Sequence, residues 1–109
     1  MAVQVKNRVI KNVGKVPVEV TKTDPSKRQT ILGLSITNLT DGFLYVSVLL
    51  KDDTSVTGFY LKDSLLAAGS SLRAVSTGEK LVLGTNNELQ VQASADDAAD
   101  VIVSFVETT

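Results

Sequence analysis

Side-chain chemistry concentrates in two acidic clusters and one basic loop. Asp52-Asp53 forms the first acidic cluster, and Asp96-Asp97 with Asp100 the second. Paired carboxylates can hold a hard cation or work as acid and base on a glycosidic bond. Calcium wants six or more oxygens, and neither cluster carries the spaced loop with a central glycine that supplies them. Glycosidase chemistry also needs an aromatic-lined cleft, and the chain offers two Tyr, three Phe and no Trp. Both clusters therefore read as solvated turns. No metal and no other cofactor is expected.

The basic loop runs from Lys22 to Arg28, with Asp24-Pro25 as its turn former and Ser26, Lys27 and Arg28 closing it. Its cations could neutralise phosphates. Nucleic-acid binders, however, are basic overall and stack bases on aromatic rings. Here the pI is near 5.3, and both tyrosines fall in sheet-like segments, so direct nucleic-acid binding is not expected. No glycine-rich phosphate loop follows a strand pattern. The absence of Cys and His removes disulfides, thiolate metal sites, and Ser-His-Asp or Cys-His catalysis. No catalytic residue is assigned, and the chain reads as non-enzymatic. No run reaches the 18 or so apolar residues that span a bilayer, and Met-Ala-Val-Gln-Val-Lys has no signal-peptide core. A soluble protein made in the cytosol is expected, so the sequon Asn38-Leu39-Thr40 reads as a turn.

The elements that must position these groups are strands. Phe43 to Leu50 places Leu44, Val46, Val48 and Leu50 on one side and Phe43, Tyr45 and Leu49 on the other. A strand apolar on both faces is expected to be central and covered on both. Val56 to Leu61 is its antiparallel partner. Upstream, Ala2 to Ile10 alternates weakly and Asn12-Val13-Gly14 reads as a turn. Val16, Val18 and Val20 alternate with Pro17 and Glu19, and Pro17 confines that strand to a sheet edge or partly outside the ladder. Gln29 to Asn38 is expected to turn Leu32, Leu34 and Ile36 inward. Leu61 to Gly69 has enough helical propensity for a single turn. Leu72 to Val75, Lys80 to Leu83, Leu89 to Ala93 and Val101 to Val106 complete the strands. The turns between them fall at Ser76–Glu79, Gly84–Asn87 and Ser94–Asp100. About eight short strands in one domain covering residues 1–109 predict an all-β antiparallel sandwich. Its core is expected to hold Leu34, Ile36, Leu44, Val46, Val48, Leu89, Val91, Val103 and Phe105.

Three stretches together resemble a known group. Gln29 to Thr40 looks like the hydrophobic strand ending in Asn-x-Thr of small β-sandwich virion proteins of tailed bacteriophages. Phe59 to Leu72 resembles their leucine–spacer–Ala-Gly-Ser-Ser-Leu segment. Lys80 to Ser94 with Val101 to Glu107 is similar to their ending, except that Gly84-Thr85-Asn86-Asn87 stands where many members carry Gly-Asp. The resemblance implies a structural protein of the particle, at a capsid-decoration, neck or tail-accessory position, with copies of itself and other virion proteins as partners and no membrane. The alternative is a carbohydrate- or host-surface-binding module of a phage fibre. Such a module needs exposed aromatics on one face, whereas Phe43, Tyr45, Phe59, Tyr60 and Phe105 stand mostly at core-like positions.

Charge suggests how copies would meet. Residues 1–28 carry a net +5 and residues 29–109 a net −6. Complementary patches on identical subunits favour a head-to-tail contact that can close into a ring, and like charges disfavour a two-fold one. Val16, Pro17, Val18 and Val20, with Lys22, Lys27 and Arg28, are the expected subunit interface.

Overall fold

A computed structural model describes residues 2–76 and 80–109. It is an all-β sandwich of two antiparallel sheets built from nine strands. They are β1 (Val3–Val13), β2 (Val18–Lys22), β3 (Arg28–Asn38), β4 (Leu44–Lys51), β5 (Thr57–Leu66), β6 (Ser71–Val75), β7 (Leu81–Leu83), β8 (Glu88–Ala93) and β9 (Ala99–Thr108). One sheet runs β1-β9-β3-β6, with β7 beside β6 on the same edge of β3, and the other runs β2-β8-β4-β5. Strands of ten or eleven residues reach about 33–36 Å at the usual rise, so β1, β3 and β9 set the 45 Å long axis. The first and last strands pair with each other: Val3 stands opposite Thr108. Ala2 and Thr109 then exchange two hydrogen bonds, Ala2 N to Thr109 Oγ1 at 3.1 Å and Thr109 N to Ala2 O at 3.2 Å.

The core forms where the inward side chains of the two sheets meet. All nine expected core residues are at most 1% exposed. They are joined by Val13, Val20, Ile31, Leu66, Val75, Leu83 and the small side chains of the β8–β9 connection. Pro17 lies just ahead of β2, which is an edge strand, as its missing N–H requires.

Bulges account for most departures from simple alternation. The β3–β9 register shifts between Ile31 and Gly33. That puts Ile31 in the core and leaves Leu32 exposed, against the inward orientation expected for Leu32. The anticipated turn at Asn12-Val13-Gly14 is instead a bulge. Asn12 takes a φ of 57° and β1 continues to a fully buried Val13. The segment Leu61–Gly69 forms no helical turn. β5 runs through it to Leu66, pairing Leu65 with Tyr45 and Leu66 with Leu44, and the chain turns only at Ala68-Gly69. Cross-strand hydrogen bonds and burial of Leu66 outweigh a propensity worth a few tenths of a kcal/mol per residue. The turn expected at Ser76–Glu79 falls largely on residues outside those described. The flanking β6 and β7 both pair antiparallel with β3 and so run in the same direction.

β4 is an inner strand, but only one of its faces is covered. Leu44, Val46 and Val48 point into the core, whereas Phe43 and Tyr45 are exposed and Leu49, though only 8% exposed, lies outside the core cluster. A two-layer sandwich has nothing to place over an outer face. Of the five aromatic residues only Phe105 is in the core.

Candidate functional site

The inward face of β9 reads Val101, Val103, Phe105, Glu107, so its last inward position is an acid. Glu107 is 8% exposed and lies beyond the apolar core, where it is met by groups from three other segments. Lys6 of β1 donates from Nζ to Oε1 at 2.9 Å. Gln29, its cross-strand neighbour on β3, donates from Nε2 to Oε2 at 3.1 Å. Lys27 places its Nζ 3.7 Å from Oε1. Gln29 Oε1 in turn accepts from Thr21 Oγ1 at 2.7 Å, which carries the chain of hydrogen bonds across to β2 in the other sheet. No buried side-chain polar atom among the described residues lacks a partner. The Lys6 hydrogen bond, then those of Gln29 and the charges of Lys27 and Lys6, hold the Glu107 carboxyl below its ordinary range despite burial.

Around this network lies an open cleft of about 400 Å³, lined by Lys6, Arg8, Lys22, Lys27, Asp24 and Glu107. Asp24 is spent within its own loop, accepting from Ser26 N at 2.9 Å and Ser26 Oγ at 2.8 Å. Those two bonds, with a smaller contribution from Lys27, lower its pKa. Four cations against two already-engaged carboxylates give the cleft a surplus of positive charge. An arrangement of this kind can seat carboxylates or other anions.

Of the expected interface residues, Lys22 and Lys27 line the cleft, and Arg28 lines the adjoining depression with Pro25, Ser26, Thr85, Thr108 and Thr109. Val16 and Pro17 are exposed, but they stand beyond the opposite end of β2, about 20 Å from Lys22 by strand rise. Val18 is half-buried. Val20 is 1% exposed and belongs to the core, because the bulge between Glu19 and Thr21 keeps both Val20 and Thr21 inward. Residues 2–28 do gather on one lateral edge, where β1 and β2 are the edge strands of their sheets. The remainder does not form a separate acidic side. Glu107 sits in the cleft, Glu88 stands opposite Lys22 in the β2–β8 ladder, and Asp96 and Asp100 accept from the backbone of Lys15 and Asn12. Lys6, Arg8, Gln29 and Glu107 were missed in the sequence. The signal for Glu107 was parity: an acid in register with three core positions of β9.

Asp52 forms its own turn, whereas Asp96 and Asp100 accept from the backbone near the end of β1. Asp52 accepts from Thr54 Oγ1 at 2.7 Å, Thr54 N at 2.9 Å and Val56 N at 3.0 Å, and the Thr54 hydroxyl bond leads the lowering of its pKa. Among the described residues no three acids converge as a metal-ligand set. Asn38 is buried: its Oδ1 accepts from Thr40 N and Oγ1, and its Nδ2 lies within reach of Gly42 O, Leu66 O and Ala67 O. The sequon is therefore a turn whose amide has no room for a glycan. Among the described residues no helix is long and apolar enough to cross a membrane.

No protein-family model matches the chain, and no curated protein matches it by sequence. Solved structures do share its fold. A chain of the Bacillus endospore appendages, which form a novel family of disulfide-linked pili, aligns at TM-score 0.60 and 10% identity over 98% of this chain and 88% of that one. The T13 IBDV viral particle aligns at TM-score 0.55 and 12% identity, covering 96% of this chain and 30% of that one. Infectious bursal disease virus Gx strain aligns at 0.51 and 13% identity, with coverage of 95% and 32%. The present chain thus spans about a third of those viral chains. At such identities the likeness establishes the β-sandwich fold.

Proposed function

We propose that this chain is a non-enzymatic, multi-copy structural subunit of a bacteriophage particle, at a capsid-decoration, neck or tail-accessory position. The observation that carries the reading is the cationic cleft at the β1–β2 edge, rigidly built around Glu107 and Gln29 yet left with unspent positive charge. A built, open cleft of this kind at a sandwich edge suits individual exposed carboxylates of a neighbouring copy, such as Asp41 or Asp53, rather than a whole acidic face. The fold is one that pilus and viral-particle chains also use, and the three sequence stretches that resemble tailed-phage virion proteins point to the particle.

The contact is head to tail, with Lys22, Lys27 and Arg28 at its centre and Val16, Pro17 and Val18 toward its margin. Exposed ion pairs contribute only about 0–1 kcal/mol each, so charge sets register while apolar edge surface supplies affinity. Lys27→Glu with Arg28→Glu should shift the chain from assembled species to monomer in analytical ultracentrifugation, and raised salt should have the same effect. Normal assembly of the double variant at low salt would remove the loop from the contact. Loss of binding to particles with self-assembly intact would transfer the cleft to a different virion protein. Immunogold labelling of intact particles tests the particle assignment itself, and labelling of neither head, neck nor tail would overturn it.

A further inference from the structure

A second cleft lies on the outer face of the β8-β4-β5 sheet, away from the cationic edge. It is small, about 130 Å³, and is lined by Tyr45, Ser47, Phe59, Asp63, Gln92 and Ser94. Phe59 stands opposite Leu49 and Tyr45 opposite Leu65, so the two rings are four residues apart along β4 and about 13 Å apart at the backbone. Ser47 lies midway and forms the floor. Both rings are about half exposed. The ammonium of Lys62 sits 5.3 Å from the Phe59 centroid, which fixes that ring from one side.

The polar groups are pre-set and only partly used. Asp63 takes a left-handed φ of 49° at the double register shift in β5. This conformation is held by its own N–H donating to Ser47 Oγ at 3.0 Å. Gln92 donates from Nε2 to Lys15 O at 2.8 Å, which orients the amide and leaves Oε1 free to accept. Ser94 Oγ accepts from Tyr45 N at 3.0 Å and keeps its proton to donate. The register shift in β5 thus brings the Asp63 carboxylate into the lining of a cleft that also holds the two exposed rings. Flat apolar rings beside fixed acceptors and donors match a ligand with an apolar face and a rim of hydroxyls.

We propose that this cleft binds carbohydrate, specifically a neutral hexopyranoside. The sugar's C–H face lies on Tyr45 or Phe59, and its hydroxyls donate to Asp63 and Gln92 Oε1 and accept from Ser94. The Asp63 carboxylate selects against acidic sugars. This function is independent of assembly through the β1–β2 edge.

The test is a glycan array probed with the biotinylated chain displayed multivalently on streptavidin, so that weak sites register. Neutral hexose and N-acetylhexosamine oligosaccharides should be retained. Tyr45→Ala and Asp63→Asn should each lower retention at least about tenfold, while Val82→Ala, exposed on the other sheet, should match the parent. Asn tolerates the left-handed conformation, and unchanged circular dichroism and melting of each variant confirm the fold. Three outcomes would overturn the proposal: no retention of neutral glycans, retention unaffected by both variants, or retention confined to sialylated and uronic glycans and abolished by high salt.

Discussion

Glu107 and Asn38 show what single side chains do in a sandwich this small. Glu107 has its carboxyl held low in the fold, so it favours the folded state above its ordinary pKa of 4.5. That contribution fades as pH falls through the lower folded value. Glu107→Gln should therefore lower the urea midpoint at pH 7, and the gap from the parent should close on acidification toward pH 3. A gap that stays constant with pH would mean the carboxylate's charge is not what the network uses. Asn38 ties the β3–β4 turn to the end of β5 through Gly42, Leu66 and Ala67 carbonyls. Asn38→Leu strands those acceptors in a buried site and should cost about 2–3 kcal/mol, measured by equilibrium denaturation. Both residues were half visible in the sequence. The sequon announced a turn at Asn38, but its burial depends on β5 passing beneath it, and no local pattern encodes that.

The apolar face of each strand was legible because alternation is a backbone property, and it held wherever the ladder is regular. β8 and β9 follow it without interruption, placing Leu89, Val91, Val101, Val103 and Phe105 in the core. It failed where a bulge inserts one residue, since a single extra residue reverses every side chain beyond it. Ile31 and Leu32 give the sharpest test. Ile31→Ala should destabilise by about 2–5 kcal/mol and Leu32→Ala by under about 1 kcal/mol; equal effects would place the bulge elsewhere. Val46→Ala on the inner face of β4 should cost on the order of 1–3 kcal/mol. Phe43, Tyr45 and Phe59 were read as core-like for a different reason. An outer face that is apolar for binding and an inner face that is apolar for packing look alike until the number of layers is known. That ambiguity hid the aromatic cleft, just as the cationic cleft was hidden because Lys6, Lys22, Lys27 and Glu107 converge from four separate segments.

At the level of the whole molecule, the sheets are stitched by long-range pairings, with β1 on β9 and β3 on β9 the most extensive. Such topologies must close large loops before contacts reward them, so folding in the millisecond-to-second range is expected by stopped-flow fluorescence of Tyr45 and Tyr60. Relaxation in microseconds would be inconsistent with it. The same stitching explains why the net +5 and −6 of the two chain segments do not become two opposite faces: β9 brings the acid Glu107 in among the bases of β1 and the β2–β3 loop. The antiparallel pairing of the first and last strands also has a mechanical consequence. Tension applied between Ala2 and Thr109 would pull apart neighbouring residues of one ladder, opening its hydrogen bonds one after another like a zipper. Tension applied across β3 and β4 would instead meet the interlocked core of both sheets at once. A lattice built from this subunit should therefore carry load through its flanks, and single-molecule pulling from the two ends should yield at far lower force than pulling between attachment points on β3 and β4.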